Sequence, residues 1–296
     1  MGLSLSEIFN ETSVPISAVT HGELMINNFI VEGKLGEGSF GTVMKAYNTV
    51  NGNTYAIKVL RRQSIKRSTV MDEITILEQL EPECNIYTLC FHGAFESTNF
   101  YFIITEYLQD FITLEDYINK RSSIDYDYNL IIIKELIIGL EVLHTKICHR
   151  DIKPANIMVN MAGNVKYIDF GLSCNIACRS NVGSPIYIAP EIFTSTSPSL
   201  TFEQCKKGDY WALGVTIYEI EMPSNFIIDE INTLTTTFKH TTQIDLLKLL
   251  LKQYILQGVP WPNHLSSPNI YTPYALTRLL HIDPVKRLLP VVSDYC

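Results

Sequence analysis

The chain has 296 residues, with 23 basic against 31 acidic side chains for a formal net charge of −8, a hydrophobic fraction of 46% and 18% charged residues. That balance excludes a disordered or fibrous chain, and the length suffices to bury a core without metal or disulfide staples. A surplus of acid argues against nucleic acid or an anionic membrane as a broad partner, because attraction to phosphate needs a basic field.

Residues 1–28 are polar and aperiodic and read as an extension. Phe29–Leu35 and Thr42–Asn48 read as strands, Asn51-Gly52-Asn53 as a hairpin turn, and Thr54–Leu60 as a third strand rich in β-favouring residues. Val70, Met71, Ile74, Leu77 and Leu80 form a helical stripe over 68–80, and two more strands are predicted over 87–95 and 100–107. The first hundred residues thus predict a five-stranded antiparallel sheet with one helix, an α+β lobe. Beyond Leu108 the pattern turns helical, over 113–120, 128–146, 207–222, 244–257 and 274–282. Short strands near 157–159 and 165–168 are joined by the turn Met161-Ala162-Gly163-Asn164. The Thr-rich stretch 222–242 receives no assignment.

The most apolar stretch, Leu130 to Leu143, is interrupted by Lys134, Glu135 and Glu141 and reads as an amphipathic helix; no transmembrane run of 18 apolar residues occurs. Cysteines stand at 84, 90, 148, 174, 178, 205 and 296. Neither Cys84/Cys90 nor Cys174/Cys178 has the tight spacing of a zinc or redox motif, so reduced thiols in a cytoplasmic or nuclear protein are expected. Met1-Gly2-Leu3-Ser4-Leu5-Ser6 fits the N-myristoylation pattern at Gly2. One acyl chain gives only a weak, peripheral membrane contact, and the first lysine is Lys34, so no polybasic partner lies nearby.

Four clusters point to one phosphate-bearing ligand. Gly36-Glu37-Gly38-Ser39-Phe40-Gly41 lies between two predicted strands, where glycines let backbone N–H groups approach phosphate oxygens. It leads into a strand and not a helix, which argues against a dinucleotide fold. Ala56-Ile57-Lys58 places an ammonium on the third strand, and Glu73 on the next helix is the candidate carboxylate to hold it. In His149-Arg150-Asp151-Ile152-Lys153-Pro154-Ala155-Asn156, Asp151 can accept a proton from a hydroxyl, Lys153 can neutralise a phosphoryl group, and Asn156 can offer a metal ligand. Asp169-Phe170-Gly171 adds a carboxylate suited to Mg2+, a hard ion that prefers oxygen.

With these residues in order, the sequence resembles the eukaryotic-type protein kinase family, serine/threonine branch, over about residues 29–290. Ala189-Pro190-Glu191, Lys207-Gly208-Asp209-Tyr210-Trp211-Ala212-Leu213-Gly214 and Asp283-Pro284-Val285-Lys286-Arg287 agree with it. The resemblance implies an α+β, two-lobed kinase fold: a small antiparallel N-lobe with one main helix over 29–108, a mainly helical C-lobe over 109–290, and a tail at 291–296. It implies ATP and Mg2+ as cofactors. Gly36, Gly38 and Gly41 would cover the phosphates; Lys58, paired with Glu73, would hold them; Leu35, Val43, Ala56 and Met158 would sandwich adenine. Thr105 falls at the gatekeeper position, and Glu106 and Leu108 would supply hinge hydrogen bonds. Asp151 would deprotonate the acceptor hydroxyl with Lys153 beside it, Asn156 and Asp169 would hold Mg2+, and Glu191 and Arg287 would form a structural ion pair.

Lys153 is the family's serine/threonine mark, and Gly183-Ser184 resembles the substrate-docking segment with Ser in the usual Thr position. Arg150 before Asp151 suggests an activation-loop phosphosite, with Ser180 first and Ser173 second as acceptors for an upstream kinase, and Arg61, Arg62, Lys66 and Arg67 as a further basic face. The reading is a monomeric kinase acting on protein substrates; a pseudokinase scaffold or a dual-specificity kinase is the alternative. A pseudokinase predicts loss of Lys58, Asp151, Asn156 or Asp169, and all four are present.

Overall fold

The computed structural model describes residues 25–26, 28–38, 41–80, 86–176, 178–180, 182–222, 225–238, 241–257 and 270–292. The myristoylation motif at Gly2, the loop residues Ser39 and Phe40, Cys84 and Cys296 lie outside them. The chain divides into two compact units, Met1–Asn85 with Leu89–Gln109, and Ile86–Thr88 with Asp110–Cys296.

The first unit is a twisted antiparallel sheet with one helix. β1 (Met25–Ile26), β2 (Phe29–Gly38), β3 (Gly41–Asn48), β4 (Thr54–Arg61), β5 (Phe91–Glu96) and β6 (Phe100–Glu106) run in the order β1-β2-β3-β4-β6-β5. The sheet has six strands and not five, because Met25–Ile26, at the end of the expected extension, pairs with Ile30 and Phe29. β3 and β4 alternate, burying Met44, Ala46, Tyr55, Ile57 and Val59 on one face with Phe102 and Ile104 of β6, until Leu60 near the end of β4, which is buried as well. β5 begins at Phe91 rather than near 87, since Tyr87 and Thr88 belong to the other unit, where Thr88 bridges Tyr167 in parallel. α1 (Arg67–Leu80) buries Val70, Glu73, Ile76, Leu77 and Leu80, a stripe at helical spacing that takes one carboxylate inside.

The second unit is mainly helical: α2 (Leu114–Lys120), α3 (Tyr126–Leu143), α4 (Pro190–Phe193), α5 (Phe202–Glu221), α6 (Phe226–Thr237), α7 (Gln243–Gln257) and α8 (Tyr271–Leu279). A three-stranded sheet of β7 (Phe111–Thr113), β8 (Ile157–Asn160) and β9 (Val165–Tyr167) packs on it, with a short ladder of β10 (Cys178–Arg179) and β11 (Ser199–Leu200). α5 is the spine of this unit, with Trp211, Leu213, Val215, Ile217 and Ile220 all buried. It begins at Phe202, five residues before the expected 207, because Thr201 and Gln204 form a capping box with bonds of 3.2 and 2.8 Å. Arg121 closes its far end by donating to the carbonyls of Glu219, Ile220 and Met222. The unassigned stretch 222–242 holds α6, which buries Phe226, Ile227 and Ile231. No helix among the described residues is long and apolar enough to cross a membrane.

Candidate active site

In the sheet unit, β4 carries Lys58 and α1 carries Glu73, and the Lys58 ammonium meets Glu73 Oε1 at 2.7 Å. Alternation on β4 turns Ala56 and Lys58 to the face opposite the buried Ile57 and Val59. Val43 pairs with Lys58 across the β3–β4 ladder, and Thr105 and Ile103 of β6 lie opposite Ala56 and Lys58. The glycine loop joins β2 to β3, with Gly36 opposite Val43, Glu37 opposite Thr42 and Gly38 opposite Gly41. A Cβ on Gly41 would meet Val59 O at 2.1 Å, so the tight β3–β4 approach requires glycine there. A Cβ on Gly36 would meet nothing, so packing does not explain that glycine. Leu35 is half-exposed at 46%, and Glu37 pairs with Lys34. The Glu106 N–H bonds Cys90 O at 2.9 Å and its carboxylate accepts the Cys90 N–H at 2.8 Å. Leu108 lies two residues past the end of β6 in the same unit.

In the helical unit, a second group forms around Asp151. Its Oδ2 takes the Lys153 ammonium at 2.9 Å and the Asn156 amide N–H at 2.8 Å, while Oδ1 accepts the Ser184 N–H at 2.8 Å. Lys153 also donates to Ser184 Oγ at 2.7 Å. The serine hydroxyl therefore serves Lys153, and Asp151 is met by the serine's main chain. Asn156 Nδ2 donates to the Asp151 carbonyl as well, at 2.9 Å, which turns its amide oxygen away from Asp151. Met158 follows in β8. Asp169 lies just past β9 with φ of 63°, and Arg150 has φ of 69°, left-handed conformations that few non-glycine residues adopt and that cluster at functional sites. The Asn156 amide and the Asp169 carboxylate are hard oxygen donors, so the residues present fit Mg2+.

The strand-like stretch 148–151 is held from α5 by a residue that the sequence marks only as part of a motif. Asp209 accepts the main-chain N–H groups of His149 and Arg150, each at 2.8 Å, and takes His144 Nε2 at 2.9 Å. Sequence alone gives no signal for this, because the partners lie 59 to 65 positions apart. A Cβ on Gly183, whose φ is 112°, would meet Arg150 O at 2.7 Å, so glycine there brings Ser184 up to Asp151. Glu191 and Arg287 form the expected pair, in a two-pronged contact of 2.6 and 3.0 Å.

Other expectations change. Cys174 and Cys178, read as plain thiols, are joined in a disulfide with Cα atoms 5.7 Å apart, and Cys90 is disulfide-bonded too. The turn between Cys174 and β10 brings the two Cα atoms within normal bridging range, which spacing alone did not reveal. Ser180 Oγ donates to Ser197 O, and Ser173 Oγ donates to His149 O at 3.1 Å. Arg150 donates to Leu172 O at 3.3 Å and to Arg179 O. In the basic face, Arg62 and Arg67 share Glu96 at 3.6 and 3.5 Å, which offsets part of its charge.

The sequence profile of the family described as "Protein kinase domain" matches residues 29–291. Serine/threonine-protein kinase dst4 of Dictyostelium discoideum is 35% identical over 63% of this chain and 39% of its own length. Serine/threonine-protein kinase KIC1 of Saccharomyces cerevisiae is 34% identical over 63% of the chain and 17% of its own length. Probable serine/threonine-protein kinase 2 of Plasmodium falciparum is 30% identical over 73% of the chain and 41% of its own length. The matched part thus spans less than half of each of these curated relatives.

Proposed function

The chain belongs to the protein kinase family, and on that premise we propose that it transfers the γ-phosphoryl group of ATP to serine or threonine hydroxyls of protein substrates. The observation that carries the proposal is the convergence of Lys153, Asn156 and the Ser184 N–H on one carboxylate, Asp151, within 2.8–2.9 Å. In this reading Asp151 accepts the proton of the attacking hydroxyl. Its orientation is fixed from two sides before substrate arrives, so the hydroxyl meets a preorganised acceptor.

Lys153 lies 2.9 Å from the carboxylate, where its charge offsets the negative charge of a transferring phosphoryl group. Gly36, Gly38, Gly41 and Lys58 hold the triphosphate in this reading, with Leu35, Val43, Ala56 and Met158 on the adenine. Asn156 and Asp169 are the residues that would hold Mg2+, which when bound neutralises charge on the β- and γ-oxygens. The hydroxyl preference rests on Lys153 and on the Ser184 segment, with support from relatives named as serine/threonine kinases.

The test is transfer of labelled phosphate from ATP to a generic protein substrate, followed by phosphoamino-acid analysis. Label on Ser and Thr is expected, and Asp151→Asn should lower the rate by roughly 10²–10⁴-fold. Equal incorporation by wild type and Asp151→Asn would overturn the role given to Asp151.

A further inference from the structure

Cys174, Cys178 and Cys205 come from three places: the residues after Asp169-Phe170-Gly171, strand β10, and the start of α5. Each is fixed by its own backbone. Cys174 exchanges both main-chain hydrogen bonds with Cys148, at 2.8 and 3.1 Å. Cys178 sits opposite Leu200 in the β10–β11 ladder. Cys205 donates its N–H to Thr201 O at 3.0 Å, within the turn closed by the capping box.

The three Sγ atoms lie within 4.8 Å of one another, with Cys178 and Cys205 buried and Cys174 half-buried. A Cys174–Cys178 bond gives no reason for a third sulfur to be there. Tetrahedral zinc does: bonds of about 2.3 Å to thiolates set neighbouring sulfurs roughly 3.8 Å apart. Sequence alone sets Cys174 and Cys178 aside as too loosely spaced for zinc, yet a Cys-x3-Cys pair lies within the two-to-four-residue gap that zinc sites use, and α5 brings a third cysteine to it. Soft thiolates also select Zn2+ over the hard Mg2+ expected at Asn156 and Asp169.

We propose that, once the Cys174–Cys178 bond is reduced, Cys174, Cys178 and Cys205 bind one Zn2+ through their thiolates. Reduction by a dithiol breaks the S–S bond with two electrons and two protons, and the dithiol leaves as its own disulfide. The ion then displaces three thiol protons to solvent, and water takes the fourth tetrahedral position. The Cys148 thiol donates to Phe202 O at 3.5 Å, in the first turn of the helix that carries Cys205. Three thiolates on a divalent ion leave one net negative charge. The Arg150 guanidinium, bonded to the carbonyls of Leu172 and Arg179 on either side of the Cys174–Cys178 stretch, compensates it. The ion would tie this stretch to α5, the helix whose Asp209 already holds His149 and Arg150.

The experiment uses the full chain, reduced with a phosphine, stripped of metal and titrated anaerobically with Co2+ and then Zn2+. One equivalent of Co2+ should produce thiolate charge-transfer and tetrahedral d–d bands that Zn2+ abolishes. Cys178→Ser and Cys205→Ser should weaken binding by about 100-fold or more, and Cys90→Ser should leave it unchanged. Cys174→Ala, at the half-buried position, tests the same loss with the least disturbance to packing, and metal-free thermal melts verify that each variant folds. Absence of thiolate bands in the wild type would overturn the proposal. So would bands that persist in folded Cys174→Ala, or that vanish in Cys90→Ser. None of these readouts depends on phosphoryl transfer, so the kinase reading stands or falls separately.

Discussion

Two cation–glutamate pairs, one in each unit, share a contact length and little else. Lys58 meets Glu73 at 2.7 Å and Arg287 meets Glu191 at 2.6 Å. Arg287 is fully buried: it lies over the Trp211 ring, its second prong bonds the same glutamate, and Nε and Nη1 also bond the carbonyls of His281 and Lys207. Its donors are largely satisfied by the chain, and its surroundings are those of a strut. The Lys58 side chain keeps 19% of its surface exposed, on a strand opposite Val43, whose other ladder partner, Gly36, is a glycine that packing does not demand. The difference lies in which partner is enclosed: Arg287 is sealed in while Glu191 keeps 28% of its side chain exposed, whereas Glu73 keeps 6% and Lys58 is the accessible member. An enclosed cation stabilises the fold, and an accessible one, in the proposed reading, is held for a ligand.

The sharpest way to break that distinction is Lys58→Met. Transfer should fall by about 10²-fold or more, the scale of removing one preorganised charge-stabilising donor, while the protein stays folded at the assay temperature. An active Lys58→Met protein would refute the functional half of the comparison. A collapsed melt would make Lys58 a strut like Arg287. Arg287→Ala should do the reverse. Removing one partner of a buried pair costs about 3–5 kcal/mol, or a drop in melting temperature on the order of 10 °C in a domain of this size, whereas transfer per folded molecule at low temperature should persist. A melt unchanged in Arg287→Ala would refute the structural half.

A smaller effect is expected at Ser184, where a neutral hydroxyl supports a charged group. Ser184→Ala removes the acceptor for Lys153, and transfer should drop by about tenfold, in line with a hydrogen bond to a charged group. Ser184→Thr keeps the oxygen and should restore most of the rate. Equal rates for Ala and Thr would show that only the Ser184 main-chain N–H matters to Asp151.

How far the sequence reveals these features depends on how local they are. Lys58, Asp151, Lys153 and Asn156 are legible because each stands within a few residues of its motif partners, and alternation on β4 places Lys58 opposite the core. Glu73 is legible because it lies on the first helix after β4. α6 escapes because Thr233, Thr235, Thr236 and Thr237 weaken its helical signal, and its stability comes from burying Phe226, Ile227 and Ile231. Asp209 and Cys205 escape for a different reason. Their partners at 144–150 and 174–178 reach them only through the packing of α5, and no spacing rule spans that distance.

The smallest effect concerns Glu219, a carboxylate lodged in the helical unit under Tyr187 and Asn225. Burial pushes its acid above the ordinary value near 4.5, and the hydrogen bonds from Asn225 and Tyr187 offset only part of that rise. The sign follows from proton counting. Between its ordinary and its raised value the folded chain holds a proton that the unfolded chain has released, so this group's stabilisation is complete at low pH and is lost as pH rises through the raised value. Glu219→Gln keeps the shape and removes the titration. The melting temperature of wild type minus that of Glu219→Gln should therefore fall as pH rises above about 4.5 and then level off. A difference that instead grows with pH would mean that the ionised carboxylate, bonded by Tyr187 and Asn225, is favoured in the fold. Glu219 would then behave as Glu73 and Glu191 do, as the charged half of a positioned pair, and not as a buried acid that resists ionisation.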